Sequence, residues 1–432
     1  MIKKLILLPL LILSSHTLAE FSDQGEITFE SRNFESDNSR LTYDENYALF
    51  TRTQLKYIKG NFTAALRGYG RADSEDKDRN LIAVEDAYIS YIFGEEGRFK
   101  LLAGWKLFNW SAMEAFHPAD VVNSRNFDGE IENLEKKGEL TLEAEVVAGE
   151  GTLNFYFWPK AEDPIFPSSR SRTGVNLGTE LQDSVWIDGT DATTNSKWQS
   201  QWGVRFNQTV GDLDFSIQYL DHLDRVHPII GYTSGSVFAG AEYPTNQAEL
   251  KPHFYRVKEY GGTLSYAYEE YLVKAEGSYR DFEDDFKTLV PITTTSFIRS
   301  APKDHGEVAI GLERTISFDS VEHEATFIFE ASSVHGVSKL ERRKLSTFQR
   351  DALLGIRYNF NDFMGSELFF SYIQDIEYTD ERLLNLSFTR RLSDQWKYKL
   401  GARLYQAAES GLYGMQVYKG DSQGYLNISR FF

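Results

Sequence analysis

Trp396-Lys-Tyr-Lys-Leu-Gly-Ala-Arg-Leu-Tyr-Gln406 decides the fold. Side chains of a β-strand alternate between two faces. One face here is Trp396, Tyr398, Leu400, Ala402 and Leu404; the other is Lys397, Lys399, Gly401 and Arg403. A soluble β-sandwich can bury the first face, and a membrane barrel can turn it to lipid while the cationic face looks into water. The same sorting recurs in Tyr271–Arg280, where Tyr271, Val273, Ala275 and Tyr279 oppose Lys274, Glu276, Ser278 and Arg280. In Leu213–Leu220, Leu213, Phe215, Ile217 and Tyr219 share a face. A charge facing mid-bilayer lipid costs about 2–4 kcal/mol, so a spanning strand must sort its residues in this way.

Eight short connections divide the chain into strand pairs: Lys59–Asn61, Gly94–Gly97, Gly149–Gly151, Val210–Asp212, Tyr268–Glu270, Phe318–Ser320, Asn361–Gly365 and Ser393–Gln395. Their Gly, Asn, Asp and Ser residues tolerate the backbone of tight hairpins. With one strand before the first pair (Glu26 to Phe34) and one after the last (Gln423 to Phe432), the count is about 18, with 16 as the alternative. Both termini then fall on the short-turn side. The opposite connections are longer: Ser111–Lys137, Pro159–Lys197, Asp221–Pro252 and Phe282–Lys303. Loops of this length in a barrel cap the mouth or fold inward.

The ends agree with an exported barrel. Lys3 and Lys4, the apolar run Leu5–Leu13, and Thr17-Leu-Ala19 before Glu20 read as a signal peptide over residues 1–19, leaving 20–432 as one domain. The final segment, Tyr425-Leu-Asn-Ile-Ser-Arg-Phe-Phe432, alternates and ends on an aromatic ring. Its Tyr425, Leu426, Ile428 and Phe432 resemble the signal by which Gram-negative outer-membrane barrels engage their assembly machinery. Arg430 departs from the pattern by sharing the face of Leu426 and Ile428, where its long stem can snorkel. No apolar stretch is long enough for a spanning helix, so a membrane location demands a closed barrel.

Composition fits an all-β transmembrane antiparallel barrel. Aromatic residues make up 14%, with 24 Tyr and 31 Phe, while mean hydropathy is −0.42. A helical membrane protein would be far more apolar; a barrel offers only alternate residues to lipid. There is no Cys, which excludes disulfides, thiolate metal sites and a lipoprotein anchor. The net charge of −18 argues against nucleic-acid binding. Acidic loop runs such as Asp73–Asp78 read as solvated surface, in the vicinity of outer-membrane lipid and lipopolysaccharide.

Inward-facing charges separate by strand. Basic candidates are Arg52, Lys56, Arg67, Arg71, Lys106, Lys397, Lys399 and Arg403, on the second, third, fifth and seventeenth strands. Closure would unite these into one wall. Acidic candidates are Glu307, Glu313, Glu322, Glu324, Glu330, Glu367 and Asp375, on the twelfth, thirteenth and fifteenth strands, roughly opposite. Opposed walls across a wet lumen would set a transverse field that orients polar solutes. Alternatively these groups pair with lumenal neighbours and stabilise the wall.

Within Val84–Arg172 stand Glu85-Asp-Ala-Tyr-Ile-Ser-Tyr91, Gly104-Trp-Lys106 with Asn109-Trp110, and His117-Pro-Ala-Asp120. Phe155-Tyr-Phe-Trp-Pro159 and Pro164–Arg170 follow. This stretch resembles a group of proteobacterial porin-like outer-membrane barrels, mostly uncharacterised. It departs from them at Lys106, Ser111 and His117, where Gln, Gly and Asn are usual. The resemblance implies an outer-membrane barrel, a transport role, and for some members an exporter partner. Read alone, Pro118 extends the backbone before it, and Asp120 caps the turn that follows.

No catalytic constellation stands out. Most histidines fall in loops or at strand ends, no linked metal motif appears, and Asp188-Gly-Thr-Asp191 is far short of a calcium loop. The expected function is a cell outer-membrane channel for passive diffusion of small polar or charged solutes, without a cofactor and without enzymatic activity. A component of an export system is the alternative; a barrel enzyme or a surface-binding barrel comes after it.

Overall fold

The computed structural model describes residues 19–36, 42–94, 96–173, 181, 183–187, 196–227, 229–234, 248–282, 303–318, 322–411 and 413–432. The leader up to residue 18, Asp188–Asp191, most of the Phe282–Lys303 connection and the centre of the Phe318–Ser320 turn lie outside the described residues.

Eighteen antiparallel strands close into a barrel. They are β1 (Glu20–Phe34), β2 (Glu45–Lys59), β3 (Phe62–Asp73), β4 (Leu81–Phe93), β5 (Phe99–Lys106) and β6 (Glu139–Ala148). Next come β7 (Gly151–Trp158), β8 (Gln201–Val210), β9 (Leu213–Leu223), β10 (Ala248–Tyr268), β11 (Tyr271–Phe282) and β12 (His305–Phe318). The last six are β13 (His323–His335), β14 (Arg350–Asn359), β15 (Glu367–Asp375), β16 (Arg382–Arg391), β17 (Trp396–Gln406) and β18 (Gln423–Phe431). Each pairs with its sequence neighbours, and β1 pairs with β18 from Glu26↔Phe431 to Phe34↔Gln423. The eighteen-strand reading stands and the sixteen-strand alternative falls.

Period-two alternation governs the wall. Phe29, Leu49, Ile89, Leu101, Ile217 and Leu400 are exposed on the outer face, while Tyr69, Leu102, Leu220, Ile328, Leu353 and Ile373 are buried within. Aromatic residues form bands at both rims. At the short-turn rim, rings follow one another from His323 through Tyr358, Phe360 and Phe388 to Tyr398, with centroids 4.9–6.3 Å apart. Toward the long-loop rim, Trp202, Tyr219 and Tyr260 stand 5.1 and 5.0 Å apart. Amphipathic rings suit the boundary between lipid and water. Arg430 lies over the Trp396 ring at 5.8 Å, which gives this outward cation an aromatic partner.

The structure corrects three boundaries. β1 begins at Glu20, six residues before the expected start, because β2 continues to Ile58 and offers it partners down to Glu20. The Asp221–Pro252 connection is not all loop: β10 runs on above the wall and pairs with Ile229–Ser234. Val185–Ile187, inside the Pro159–Lys197 connection, adds in parallel to His253–Tyr255. A short helix, α1 (Lys339–Leu345), stands between β13 and β14, its start fixed by a capping box of Ser338 and Glu341.

Gly104 adopts φ +134°, and a Cβ there would lie 2.2 Å from the Ala87 carbonyl oxygen of the paired strand. The backbone cannot yield without breaking the β4–β5 ladder. Gly104→Ala is expected to cost about 2 kcal/mol or more, seen as a lower urea midpoint for unfolding from lipid vesicles. An unchanged midpoint would contradict this account of the position.

Candidate functional site: a charged lumen crossed by an inward loop

Most of the residues expected to line the lumen have local partners. Arg52 meets Glu85 at 3.1 Å and Glu26 at 3.6 Å. Arg67 meets Glu85 and Asp86 at 3.3 and 3.1 Å. Arg71 is buried between Glu30 (2.9 Å) and Glu135 (2.8 Å). Lys106 pairs with Glu143 at 2.5 Å. Arg403 holds Glu130 and Glu132 at 2.8 and 3.0 Å, with Lys399 3.8 Å from Glu130. Lys56 and Lys397 share this inward face by register, opposite Ser22 and Ser429.

The acidic side is equally engaged. Glu313 pairs with Lys274, Glu307 with Arg280 at 3.2 Å, and Glu367 with Arg357 at 3.9 Å. Glu324 reaches Ser317 at 3.4 Å, and Asp375 accepts from the Gln349 amide at 2.9 Å and from the backbone of Glu377 and Tyr378. Glu322 is a correction. It is exposed in the tight turn before β13, with φ +57°, and so stands off the wall. The picture of two bare, opposed walls gives way to interleaving. Glu26 and Glu30 on β1, Glu85 and Asp86 on β4, and Glu143 on β6 alternate with the arginines and lysines of β2, β3 and β5. These carboxylates were missed as lining residues, although the same period-two rule puts Glu26, Glu30 and Glu143 inside.

Of the two expectations for the long loop, capping the mouth or folding inward, the second is met: the connection from Leu107 to Gly138 folds into the barrel and tours its inner surface. Phe108, Val121 and Val122 pack on Tyr156 and Trp158 of β7 and Leu220 of β9. The chain then crosses. Glu276 of β11 accepts from the Ser111 hydroxyl and the Ala112 amide, both at 2.6 Å. Glu330 of β13 accepts from the amides of Glu114 (2.6 Å) and Ala115 (3.0 Å). Met113, Ala115 and Phe116 bury themselves against Ala309, Ile328, Leu353, Ile373 and Leu383. Glu114 meets Arg357 at 3.0 Å. On the return, Glu130 and Glu132 take Arg403, Asp128 takes Arg79 and Arg32, and Glu135 takes Arg71. Glu330 thus serves as an anchor for loop amides.

Backbone amides held by buried carboxylates, and carboxylates held by buried guanidiniums, are charge-assisted and strong. Burial would raise the carboxyl groups of Asp128 and Glu135, and the partial enclosure of Glu130 acts in the same direction. The facing guanidiniums reverse this and hold all three below their ordinary range: Arg79 and Arg32 for Asp128, Arg403 for Glu130 and Arg71 for Glu135. His117 behaves oppositely: burial and the Arg125 guanidinium push it down to about 4. Its Nδ1 lies 2.7 Å from Ser111 Oγ and its Nε2 3.0 Å from the Glu132 carbonyl, so it joins the outgoing and returning arms of the loop. Asp120 takes Lys136 across the same two arms.

Not every charge is sequestered. The side chains of Arg52 and Lys399 are 37% and 35% exposed, and Glu130 is 41% exposed. With Glu114 and Arg357, they leave both signs accessible where the loop meets the wall. Above the loop, a cavity of about 280 Å³ is lined by His117, Arg125, His227, Phe348 and Tyr418, among others.

No protein-family model matches the sequence, and no curated protein matches it. Among solved structures, OccAB1 of Acinetobacter baumannii is similar over 96% of each chain, with TM-score 0.53 and 9% identity. A triple mutant of the porin of Rh. blastica aligns with 96% of this chain and 100% of its own, at TM-score 0.44 and 9% identity, too low to bear on the fold. The first likeness supports the fold, a closed antiparallel β-barrel, and says nothing about the solute.

Proposed function

We propose that this protein is an outer-membrane channel through which small polar or charged solutes diffuse passively. The observation that carries the reading is the inward loop. It is an ordered constriction inside a barrel of eighteen strands, and it leaves accessible charges of both signs along its edge. In this reading Arg52, Lys56, Lys397 and Lys399 contact anionic parts of a solute, and Glu114 and Glu130 its cationic parts. Arg71 and Arg403 instead hold the loop. Mixed lining favours solutes that carry both charges over bare ions. Delivery would depend on the leader and on the assembly machinery that reads the last strand.

The test is single-channel conductance of the refolded, heat-modifiable protein in planar bilayers, with reversal potential under a salt gradient. Discrete steps are expected; a folded barrel that stays silent would sink the proposal. Arg52→Gln combined with Lys399→Gln should move the reversal potential toward cation preference at nearly unchanged conductance. No movement would remove these residues from the pathway.

Arg403→Ala should free Glu130 and Glu132 and release the returning arm. Larger or noisier steps are expected, and steps identical to wild type would show that the arm is held without this pair.

Acid should loosen the loop in a defined order. His117 is depressed in the folded state, so its contribution is complete above the unfolded value of about 6.5 and declines as pH falls toward 4. The three depressed carboxylates hold until pH falls below about 4. Hydrogen exchange of the loop amides, corrected for the intrinsic pH dependence of exchange, should therefore rise between about pH 6.5 and 4 in the wild type. His117→Gln should flatten that rise, and an equal rise in both proteins would assign it elsewhere.

A further inference from the structure

At the long-loop rim, three side chains converge without a role in the proposed pathway. His227 lies four residues past the end of β9, His305 opens β12, and Glu307 follows on the same face of that strand. Their ligand-capable atoms all lie within 4.8 Å of one another, and among the described residues no other set of three does so. Glu307 Oε1 is 3.1 Å from His227 Nε2 and 3.8 Å from His305 Nε2. The imidazole rings stand nearly perpendicular, at 87°, with centroids 5.9 Å apart.

The second layer of contacts is organised as a metal site requires. His305 Nδ1 is 2.8 Å from the Lys303 carbonyl, which can only accept. That contact puts the proton on Nδ1 and leaves a lone pair on Nε2. His305 is fully buried, and its Nε2 has no hydrogen-bond partner. His227 Nδ1 is 3.2 Å from Asp224 Oδ2. Asp224 is itself set by its amide to the Tyr255 carbonyl (2.9 Å), and its other oxygen accepts from Val226 N (2.9 Å). A histidine whose Nδ1 faces a carboxylate or carbonyl, with Nε2 turned to a shared centre, is the arrangement that orients imidazole ligands. Glu307 Oε1 is likewise buried without a hydrogen bond, while Oε2 faces Arg280 at 3.2 Å.

Among the described residues Arg280 is the cation that pairs directly with Glu307, and Glu259 and Asp224 flank it at 3.5 and 3.9 Å. Arg125 approaches from the inward loop beside Asp120. Three carboxylates, Asp224, Glu259 and Glu307, against the buried guanidiniums of Arg280 and Arg125 leave negative charge that a divalent cation would offset.

We propose that His227, His305 and Glu307 form a binding site for a borderline-soft divalent cation of the zinc class. Two imidazoles and one carboxylate match the ligand set of a four-coordinate ion with one open position. His227 and Glu307 also line the cavity above the inward loop, so that position faces solvent. A metal of this class prefers nitrogen donors, which separates the site from the all-oxygen ligation that calcium and magnesium require. Bound there, it ties the Asp224–His227 segment to the barrel wall.

The experiment is a Co(II) titration of the refolded, chelator-treated full-length protein, followed by Zn(II) displacement. Intense visible ligand-field absorption saturating at one equivalent, and abolished by Zn(II), is the expected result. His227→Gln and Glu307→Gln should each weaken binding by on the order of 100-fold, and Asp224→Asn by about 10-fold. His335→Ala, at an exposed histidine ending β13, should leave it unchanged. Heat-modifiability checks that each variant has folded. A wild-type protein that gives only the weak absorption of hydrated Co(II), or a folded His227→Gln that binds as tightly as wild type, would overturn the proposal. The cluster would then be an ion-paired network in which His227 bridges Asp224 and Glu307.

Discussion

A sheet edge left open exposes a row of unpaired amides and carbonyls, and closing that edge is the constraint on which the rest of this molecule depends. The edge that sequence order leaves open is between β1 and β18. It is closed by a ladder nine residues long and finished by a reciprocal pair, Gly25 N to Phe432 O and Phe432 N to Gly25 O, both 3.0 Å. The missing side chain at Gly25 is filled by the Phe432 ring, which would lie 2.3 Å from any Cβ placed there. The terminal aromatic residue is therefore part of the seam itself.

Closing eighteen strands creates an interior too wide for wall side chains alone to fill. The Leu107–Gly138 loop fills part of it, and the manner of filling explains the charge pattern. A loop inside a barrel carries backbone groups that need partners. Glu276 and Glu330 supply them on one side, while arginines of β1, β3 and β17 take the loop's own carboxylates on the other. Charge in this lumen is thus largely structural. What remains for solutes is the smaller set still open to water, around Arg52, Lys399, Glu130, Glu114 and Arg357. The field across the lumen is correspondingly patchwork.

Much of the fold was legible in the sequence because a closed wall with two unlike faces leaves little freedom. Each of the eight short turns lies between paired strands, seven of them marked by Gly, Asn, Asp or Ser and the eighth being Tyr268-Glu-Glu270, and the alternation in Trp396–Gln406 gives the observed faces. The loop's path was not legible. Its decisive contacts join residues far apart in the chain, such as Glu132 with Arg403, 271 positions on, and no local pattern encodes such a meeting. The strand above the wall in β10 was hidden for a related reason: its partners, Ile229–Ser234 and Val185–Ile187, are themselves too short to announce a strand. The opposed-wall picture failed more simply. It counted Arg52 and Arg67 without the carboxylates of the neighbouring strands that register brings beside them.

The loop touches Arg32 on the first strand, Arg71 on the third and Arg403 on the seventeenth, so it spans the seam from within. Its ion pairs to Arg32, Arg71 and Arg403 therefore lie on both sides of the joint. Parting β1 from β18 would break those pairs along with the ladder, so the loop braces the seam from inside.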